Sequence, residues 1–415
     1  RIMKLYYNIS KLACVNGHKA KKGRDMSDIG YITDGAFVTD KDKFIFAGKR
    51  DKAFELYPDA EKIDLKNKAV IPGFTDSHTH LVFGGYRVSE FMMRLEGRSY
   101  MEIMQAGGGI KSTTQATRML SAEQMAEKTL PFVNELLSYG VTTLEIKSGY
   151  GLDKETELRQ LLSMKILEEM TPIRIVKTYM GAHALPDEFK NNPSGYIRYI
   201  CEEVLPAVKE QGIAKYCDVF CEKNVFSKEE SAIIFDRAKE LGLGLKIHAD
   251  EIEDGGTTAF GVRYGCTSTD HLLHVSDEGI EALAFGETVA TLLPITAFSL
   301  KEKYAPARRL IDKGAAVAIA TDCNPGSCFS DSIPLLIALS SLNMGMTFEE
   351  IICSLTLNGA AAVGNAESFG SIQEGKYADF LVLKWEDPAF LNYHICGNGV
   401  EKVYIGGKMV RENSF

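Results

Sequence analysis

The strongest signal in this 415-residue chain is the segment Pro72-Gly73-Phe74-Thr75-Asp76-Ser77-His78-Thr79-His80, in which a short strand ends with two histidines two positions apart. Side chains alternate between the two faces of an extended strand, so His78 and His80 point the same way and can reach one ion. On a helix the same spacing would turn the two rings apart. The segment therefore predicts a metal clamp at a strand end, although taken alone it also fits two unrelated histidines.

Beyond this segment, short apolar strands alternate with amphipathic helices. In residues 121–139 and 154–169, apolar residues recur at the three-to-four spacing of helices that pack one face on a sheet. We predict eight strands, at residues 70–75, 141–146, 174–179, 217–221, 243–247, 269–272, 289–293 and 317–320. Eight strands with helical spacers predict a (β/α)8 TIM-like barrel. A doubly wound open sheet is the competing α/β layout, but no Gly-rich dinucleotide loop follows the first strand.

Both ends of the chain show a different pattern, in which short strands are separated by turns. These strands are expected at residues 35–39, 43–48 and 62–70 near the start, and at residues 378–383 and 400–410 near the end. Because a barrel uses about 250 residues, one large and one small unit fit the chain length. We predict that residues 71–370 form the barrel, and that residues 1–70 and 371–415 together form a small β-sandwich domain.

Three further strand ends carry residues of the kind that bind metals. His248 closes the predicted fifth strand, Asp270 and His271 lie on the sixth, and Asp322 follows the eighth. In a barrel these positions open onto the same rim, where barrel active sites are built. Neutral imidazoles with one carboxylate make a suitable ligand set for Zn²⁺ or a similar divalent ion, with one position left for water.

Composition limits the kinds of partner. The formal net charge of -9 argues against nucleic-acid and anionic-membrane partners, which reward a basic surface. Nine scattered cysteines without a C-x-x-C pair favour neither a disulfide framework nor a zinc finger. The first residues lack the apolar stretch of a signal peptide, and no run of about 18 apolar residues occurs. We therefore expect a cytoplasmic protein with a small-molecule substrate.

Several strings of residues, in this order, resemble the amidohydrolase superfamily, and the likeness covers nearly the whole chain. They are residues 76–85 (DSHTHLVFGG), 106–110 (AGGGI), 145–151 (EIKSGYG), 248–251 (HADE) and 322–327 (DCNPGS). Within that superfamily they look like the branch that opens an imidazolone ring bearing a propionate tail during histidine breakdown. The resemblance implies hydrolysis of a cyclic amide by a metal-activated water.

The resemblance also implies roles for the residues at the strand ends. One zinc or iron ion per protomer would be bound by four residues, His78, His80, His248 and Asp322. Asp322 would also take a proton from the attacking water, and His271 would polarise the ring carbonyl. Glu251 would contact the ring and pass a proton to the departing nitrogen, unless it is only a solvated loop carboxylate.

Substrate contacts are implied by the same comparison. Arg87 offers a planar fork that suits the anionic tail, although the composition alone equally allows an ordinary surface arginine. Tyr150 and His183 match positions that touch the ring. A loop that contacts substrate or product is matched by three residues, Asn324, Gly326 and Ser327, and the family often has threonine at the last of these.

Three alternatives stay open at this point. The same ligand set would serve a nucleobase deaminase, and a catalytically inactive barrel could act as a binding protein. A two-metal site would need a bridging lysine at the fourth strand end, but Lys223 falls after that strand, so one ion is favoured. A homodimer is expected, since such enzymes are commonly dimers.

Overall fold

The structure is a computed structural model that describes residues 3–414. Its larger sheet consists of eight parallel strands, each hydrogen-bonded to the next one along the chain. These strands are Phe74–Asp76 (β5), Val141–Lys147 (β6), Arg174–Ala182 (β7), Tyr216–Cys221 (β8), Gly244–Ala249 (β9), Ser268–His271 (β10), Val289–Leu292 (β11) and Val317–Ile319 (β12). The predicted (β/α)8 barrel is confirmed.

Helices fill most of the connections between these strands, and further helices follow the last barrel strand or lie near the two ends of the chain. Among the described residues they are Arg50–Leu56 (α1), Val88–Leu95 (α2), Tyr100–Gln105 (α3), Ile110–Arg118 (α4), Ala122–Ser138 (α5), Lys154–Met170 (α6), Pro193–Tyr199 (α7), Leu205–Gln211 (α8), Lys228–Glu240 (α9), Thr257–Arg263 (α10), Asp277–Phe285 (α11), Pro294–Leu300 (α12), Ala307–Asp312 (α13), Ile333–Leu342 (α14), Phe348–Leu355 (α15), Leu357–Ala362 (α16) and Phe390–Tyr393 (α17). Short 3-10 turns at Gly23–Ser27 and Asp187–Phe189, and a π-helical turn at Ile200–Val204, complete the set.

The two long helices predicted from the sequence are α5 and α6. Ser121 begins α5 with a capping box, in which its hydroxyl accepts from the N–H of Gln124 and the Gln124 side chain accepts from the N–H of Ser121. Asp153 caps α6 through the N–H of Thr156. Both helices match the predicted ranges within one residue at each end, because capping and apolar spacing are local signals.

The barrel closes at its carboxyl rim, where the ends of its first and last strands meet. The N–H of Asp322 donates to the carbonyl of His78 at 3.0 Å, and the N–H of His80 donates to the carbonyl of Cys323 at 2.9 Å. Three of the predicted metal-binding residues therefore lie on the seam that closes the barrel.

The smaller sheet is built from both ends of the chain. Its strands are Lys4–Ala13 (β1), Tyr31–Asp40 (β2), Lys43–Lys49 (β3), Glu61–Pro72 (β4), Phe380–Leu383 (β13), Val400–Ile405 (β14) and Lys408–Glu412 (β15). They are hydrogen-bonded in the order β15-β14-β13-β4-β1-β2-β3. We call these seven strands the terminal sheet. Residues 1, 2 and 415 of the predicted terminal segments lie outside the described residues.

The terminal sheet curls around an aromatic core. Phe37 on β2 contacts Phe380 on β13 with ring centroids 4.7 Å apart, although two strands separate β2 from β13 in the sheet. Tyr6 stacks on Phe37, and Tyr404 stacks on Phe380. Side chains from strands that are not neighbours therefore meet on one face of the curled sheet. The small domain is one continuous seven-stranded sheet, whereas the predicted sandwich would have two.

The predicted strand at residues 70–75 is two strands. β4 ends at Pro72 and pairs with β1 and β13, whereas the barrel strand β5 begins at Phe74. Gly73 lies between them, and a side chain there would collide with Thr142, since an added Cβ would lie 2.3 Å from the Thr142 hydroxyl oxygen. The prediction merged the strands because both sides of the junction are apolar.

None of the helices in residues 3–414 is long and apolar enough to cross a membrane. The nine cysteines are all free, and seven of them are buried.

Candidate active site

The residues predicted to bind metal converge at the carboxyl rim of the barrel. His78 and His80 follow β5, His248 lies in β9, His271 ends β10 and Asp322 follows β12. All five side chains belong to residues that are at most 3% exposed. Backbone register brings them together, since the carboxyl ends of parallel barrel strands share one rim.

The ligand atoms of four of these side chains lie close to one another. Nε2 of His80 lies 3.2 Å from Nε2 of His78 and 3.3 Å from Nε2 of His248. Oδ1 of Asp322 lies 3.3 Å from Nε2 of His78 and 3.5 Å from Nε2 of His80. Ligand atoms about 2.0–2.1 Å from a tetrahedral ion lie about 3.3–3.4 Å apart. The spacing of His78, His80 and Asp322 therefore fits a single ion, and Nε2 of His248 lies next to that of His80.

Charge supports the same conclusion. Burial lowers the pKa of His78 and of His80 well below its ordinary value, so both rings are neutral and their nitrogens are free to bind a cation. Nitrogens so close together, with a carboxylate beside them, leave lone pairs that a cation would satisfy. The donor set fits a metal cofactor.

His271 and Glu251 lie beside this cluster. Nε2 of His271 is 3.4 Å from Oε2 of Glu251 and 3.9 Å from Oδ2 of Asp322. A ring nitrogen of His271 also lies within 4.8 Å of ring nitrogens of His78 and His248. These three histidines therefore form a second group that could bind a metal ion. Burial, and then the nearby Asp322 carboxylate, raise the pKa of Glu251 to about 8. A carboxylic acid that keeps its proton near neutral pH can donate it.

Asp322 is held in place by its neighbours. The hydroxyl of Thr296 donates to Oδ2 of Asp322 at 2.7 Å. Burial raises the pKa of Asp322 to about 6, which suits a group that takes up a proton during a reaction.

A cavity of about 790 Å³ opens above the cluster. Every predicted substrate residue lines it, namely Arg87, Tyr150, His183, Glu251, Asn324, Gly326 and Ser327. His183 stacks on His80 with ring centroids 5.3 Å apart, and Tyr150 lies 5.3 Å from His183. These two rings form one wall next to the candidate ligands.

Asn324 shapes the loop after the last barrel strand. Its Oδ1 accepts from the N–H groups of Gly326 and Ser327 at 2.9 and 2.8 Å. Its Nδ2 donates to the carbonyl of Asp322 at 2.7 Å. The side chain of Asn324 therefore holds the loop against the candidate metal ligand, a role that the sequence comparison did not suggest.

Arg87 is not a free surface arginine. Its Nε and Nη2 each lie 3.0 Å from an oxygen of Glu90, which also accepts from the N–H of Gly109. The Arg87 guanidinium lies over Gly326, where a Cβ would come within 2.6 Å of Nη1. Glu90 thus orients Arg87 and offsets part of its charge. Sequence reasoning did not single out Glu90, although its three-residue spacing from Arg87 on a helix was a usable signal.

A buried ionic group beneath the rim was also not predicted. It consists of Glu145, Lys147, Asp218, Lys246 and Asp270, whose side chains are all fully buried. The alternation Glu145-Ile146-Lys147 and Lys246-Ile247-His248 was a signal, because positions two apart on a strand face the same side. Lys223, considered as a bridging lysine, is instead largely exposed and pairs with Glu253 at 3.2 Å.

Comparison with known proteins agrees with this geometry. A family model described as "Amidohydrolase family" matches residues 69–410. A curated imidazolonepropionase from Porphyromonas gingivalis is 49% identical, covering 99% of this chain and 98% of its own length. One from Clostridium tetani is 47% identical, covering 98% of each chain. The solved structure of an atrazine chlorohydrolase from Arthrobacter aurescens, complexed with zinc and atraton, has a TM-score of 0.70 at 14% identity, covering 99% of this chain and 95% of that one.

The barrel and its rim cluster define a metal-dependent enzyme of the amidohydrolase class. The likeness to the atrazine chlorohydrolase, at 14% identity, shows the fold alone. The two curated relatives are far closer and match over almost their whole length. The chain belongs to the imidazolonepropionase family within the amidohydrolases.

Proposed function

We propose that this protein hydrolyses 4-imidazolone-5-propanoate to N-formimidoyl-L-glutamate, a step of histidine degradation. The observation that carries the proposal is the 49% identity to an imidazolonepropionase over 99% of the chain. The convergent histidines and carboxylates at the barrel rim support it, because a purely binding barrel has no physical need for them.

His78, His80, His248 and Asp322 would hold one metal ion. When bound, the ion lowers the pKa of a water molecule and makes hydroxide available near neutral pH. Zinc and iron both suit three imidazoles and one carboxylate, so the metal that the purified protein carries decides between them. The zinc in the atrazine chlorohydrolase structure is a property of that enzyme.

Asp322 and His271 would act on the ring carbonyl. Asp322 accepts the proton that water loses as its oxygen attacks the carbonyl carbon, while Thr296 keeps the carboxylate in position. His271, facing both Asp322 and Glu251, donates a hydrogen bond to the oxygen on which negative charge develops.

Glu251 would complete the proton transfer. As the bond between the carbonyl carbon and the ring nitrogen breaks, the nitrogen needs a proton to leave. Glu251 lines the cavity beside His271 and retains a proton near neutral pH, so it can supply one. The new carboxylate then appears at the former carbonyl carbon.

Arg87 would bind the propionate tail, with Tyr150 and His183 against the ring and with Asn324, Gly326 and Ser327 forming the opposite loop. Arg87 contacts Glu90 through Nε and Nη2. Its Nη1 takes no part in these two contacts, so it can still form a charge-assisted hydrogen bond to the propionate. We also propose that the protein is cytoplasmic and forms a homodimer. Light scattering of the purified protein would test the dimer.

The direct experiment is incubation of the metal-loaded protein with 4-imidazolone-5-propanoate. We expect loss of the ring absorbance and equimolar formation of N-formimidoyl-L-glutamate. Parallel incubation with guanine and cytosine tests the deaminase alternative by ammonia release. Turnover of a nucleobase without turnover of the imidazolone would overturn the proposal.

A further inference from the structure

Two of the candidate ligand histidines are held from behind by buried carboxylates. Nδ1 of His78 lies 2.5 Å from Oδ2 of Asp270, and Nδ1 of His248 lies 2.9 Å from Oδ1 of Asp218. Asp270 lies on β10 and Asp218 on β8, and both side chains are fully buried. Neither aspartate is among the residues assigned to the metal or the substrate above.

These contacts decide which ring nitrogen carries the proton. A carboxylate oxygen accepts a hydrogen bond from a ring N–H, so these contacts favour the tautomer in which Nδ1 of His78 and of His248 carries the proton. Nε2 of each ring then keeps its lone pair and faces the cluster, as a metal ligand requires. By contrast, Nδ1 of His80 and Nδ1 of His271 have no hydrogen-bond partner within the described part of the chain. The carboxylate support is therefore selective.

Lys147 connects the two supporting carboxylates. Its Nζ lies 2.8 Å from Oδ2 of Asp218 and 4.0 Å from Oδ2 of Asp270, and it also pairs with Glu145 at 2.7 Å. All four side chains are fully buried. The ammonium group of Lys147 thus pairs closely with Asp218 and lies at the limit of ion-pair distance from Asp270, so its charge acts on both carboxylates.

We propose that Asp218, Asp270 and Lys147 form a single positioning unit that fixes the tautomers of His78 and His248 and thereby sets the affinity for the metal. The proposal rests on the metal site proposed above, but not on the identity of the substrate. His80 lies outside the unit, since its Nδ1 has no partner among the described residues and its ring stacks on His183.

The test is a chelator-competition titration of Zn²⁺ with the purified full-length protein. Replacing Asp270 or Asp218 by Asn keeps an oxygen that can accept from Nδ1 but removes the charge, so we expect about tenfold weaker binding. Replacing either by Ala removes both, and we expect about a hundredfold. Asp379→Asn is the matched control, because Asp379 is also buried and charge-paired, but its partners are Arg174 and the N–H of Gly406 rather than a candidate ligand. Its affinity should stay within about threefold.

Lys147→Met tests the connecting role. We expect weaker Zn²⁺ binding, although the lysine contacts no ligand. In Asp218→Asn/Asp270→Asn, the loss should be smaller than the product of the single losses, since groups that share a partner do not act independently. Nitrogen NMR of the histidine rings should show His78 and His248 protonated on Nδ1 in the wild type only.

Outcomes separate this proposal from its alternatives. If folded Asp270→Ala and Asp218→Ala bind Zn²⁺ as tightly as the wild type, the positioning unit does not exist. If Asp379→Asn loses affinity to the same degree, the effect is one of general stability, and the proposal is wrong. Should Lys147→Met fail to fold, the aspartate variants still decide. A wild type that binds Zn²⁺ tightly but leaves the imidazolone intact would overturn the proposed function and not this inference.

Discussion

Two lysines are almost equally hidden from solvent, Lys147 in the barrel and Lys376 in the segment leading into β13, but their surroundings differ. Lys147 lies among carboxylates. Burial alone would lower its pKa, but the negative charges of Asp218 and Glu145 have the larger effect, so the pKa of Lys147 is raised. Lys376 has no carboxylate partner within hydrogen-bond distance among the described residues. Its Nζ donates to uncharged oxygens only, those of Gly17, Ala366, Phe369 and Ser371, and burial lowers its pKa to about 8.

The difference shows two uses of a buried charge. The partners of Lys147 also hold the rings of candidate metal ligands, so the charge in the barrel serves the site. The partners of Lys376 come from both ends of the chain, so that charge ties the terminal segments together. Changes in the barrel should therefore alter metal binding or activity, whereas changes around Lys376 should alter stability alone.

The largest effect is expected on the barrel side, from His248→Ala. Removing one ligand should release most of the metal and lower kcat/KM by about 10⁴-fold or more, since a water-activating ion supplies several kcal/mol of transition-state stabilisation. Metal content by elemental analysis and turnover of the imidazolone measure this. Lys376→Met is the control and should keep both metal and kcat/KM. Full metal content in His248→Ala would remove His248 from the ligand set.

Glu251→Gln should have the next largest effect. The variant keeps the shape of the side chain but cannot donate a proton, so kcat should fall by about 10²–10⁴-fold. Metal content should not change, because Glu251 faces His271 and belongs to neither group of possible metal ligands. Steady-state kinetics with elemental analysis measure both quantities. Loss of metal would instead make Glu251 a ligand, and unchanged kcat would make it a spectator.

Arg87→Ala tests the outer cavity, away from both lysines. A charge-assisted bond to the propionate tail is worth about 1.5–3 kcal/mol, so kcat/KM should fall by about ten- to hundredfold. Glu90→Gln sharpens the test, because it leaves Arg87 in place but removes the charge that Arg87 is paired with. Metal content should not change in either variant. Unaltered kcat/KM in Arg87→Ala would show that the tail is bound elsewhere.

The barrel and its rim were predictable from the sequence because their signals are local. Two-residue alternation places His78 and His80 on one side, and apolar spacing with capping residues defines α5 and α6. β1 was missed since its alternation is interrupted at Asn8, which has a positive φ of 57°, and the register with β2 shifts there. A local pattern fails where the backbone bulges.

The ionic group beneath the rim was not predictable in the same way. Lys147, Asp218 and Asp270 lie on three different strands, and their meeting depends on strand register across the whole barrel. A charged residue in an apolar strand signals a buried partner, but not which one. Similarly, the sequence could suggest that Arg87 binds an anion, but it could not show that Glu90 orients the Arg87 side chain.

The smallest effect concerns the pH dependence of stability at Lys376. A folded pKa of about 8, below the ordinary value of 10.5, means that between these values the unfolded chain binds more protons than the folded one. The free energy of unfolding should therefore rise with pH across this window by roughly 1–3 kcal/mol from this group, whereas the cost of burying its charge is fully present below pH 8. Lys376→Met should lack that rise. Lys408→Met, which changes an exposed lysine on β15 of the terminal sheet, should keep it.

Denaturant unfolding of the wild type and the two variants at pH 7 and pH 10 measures the difference. If the free energy of unfolding changes with pH in the same way in the wild type and in Lys376→Met, the surrounding oxygens stabilise the ammonium as well as water does. Lys376 and Lys147 would then differ only in the groups that their partners contact.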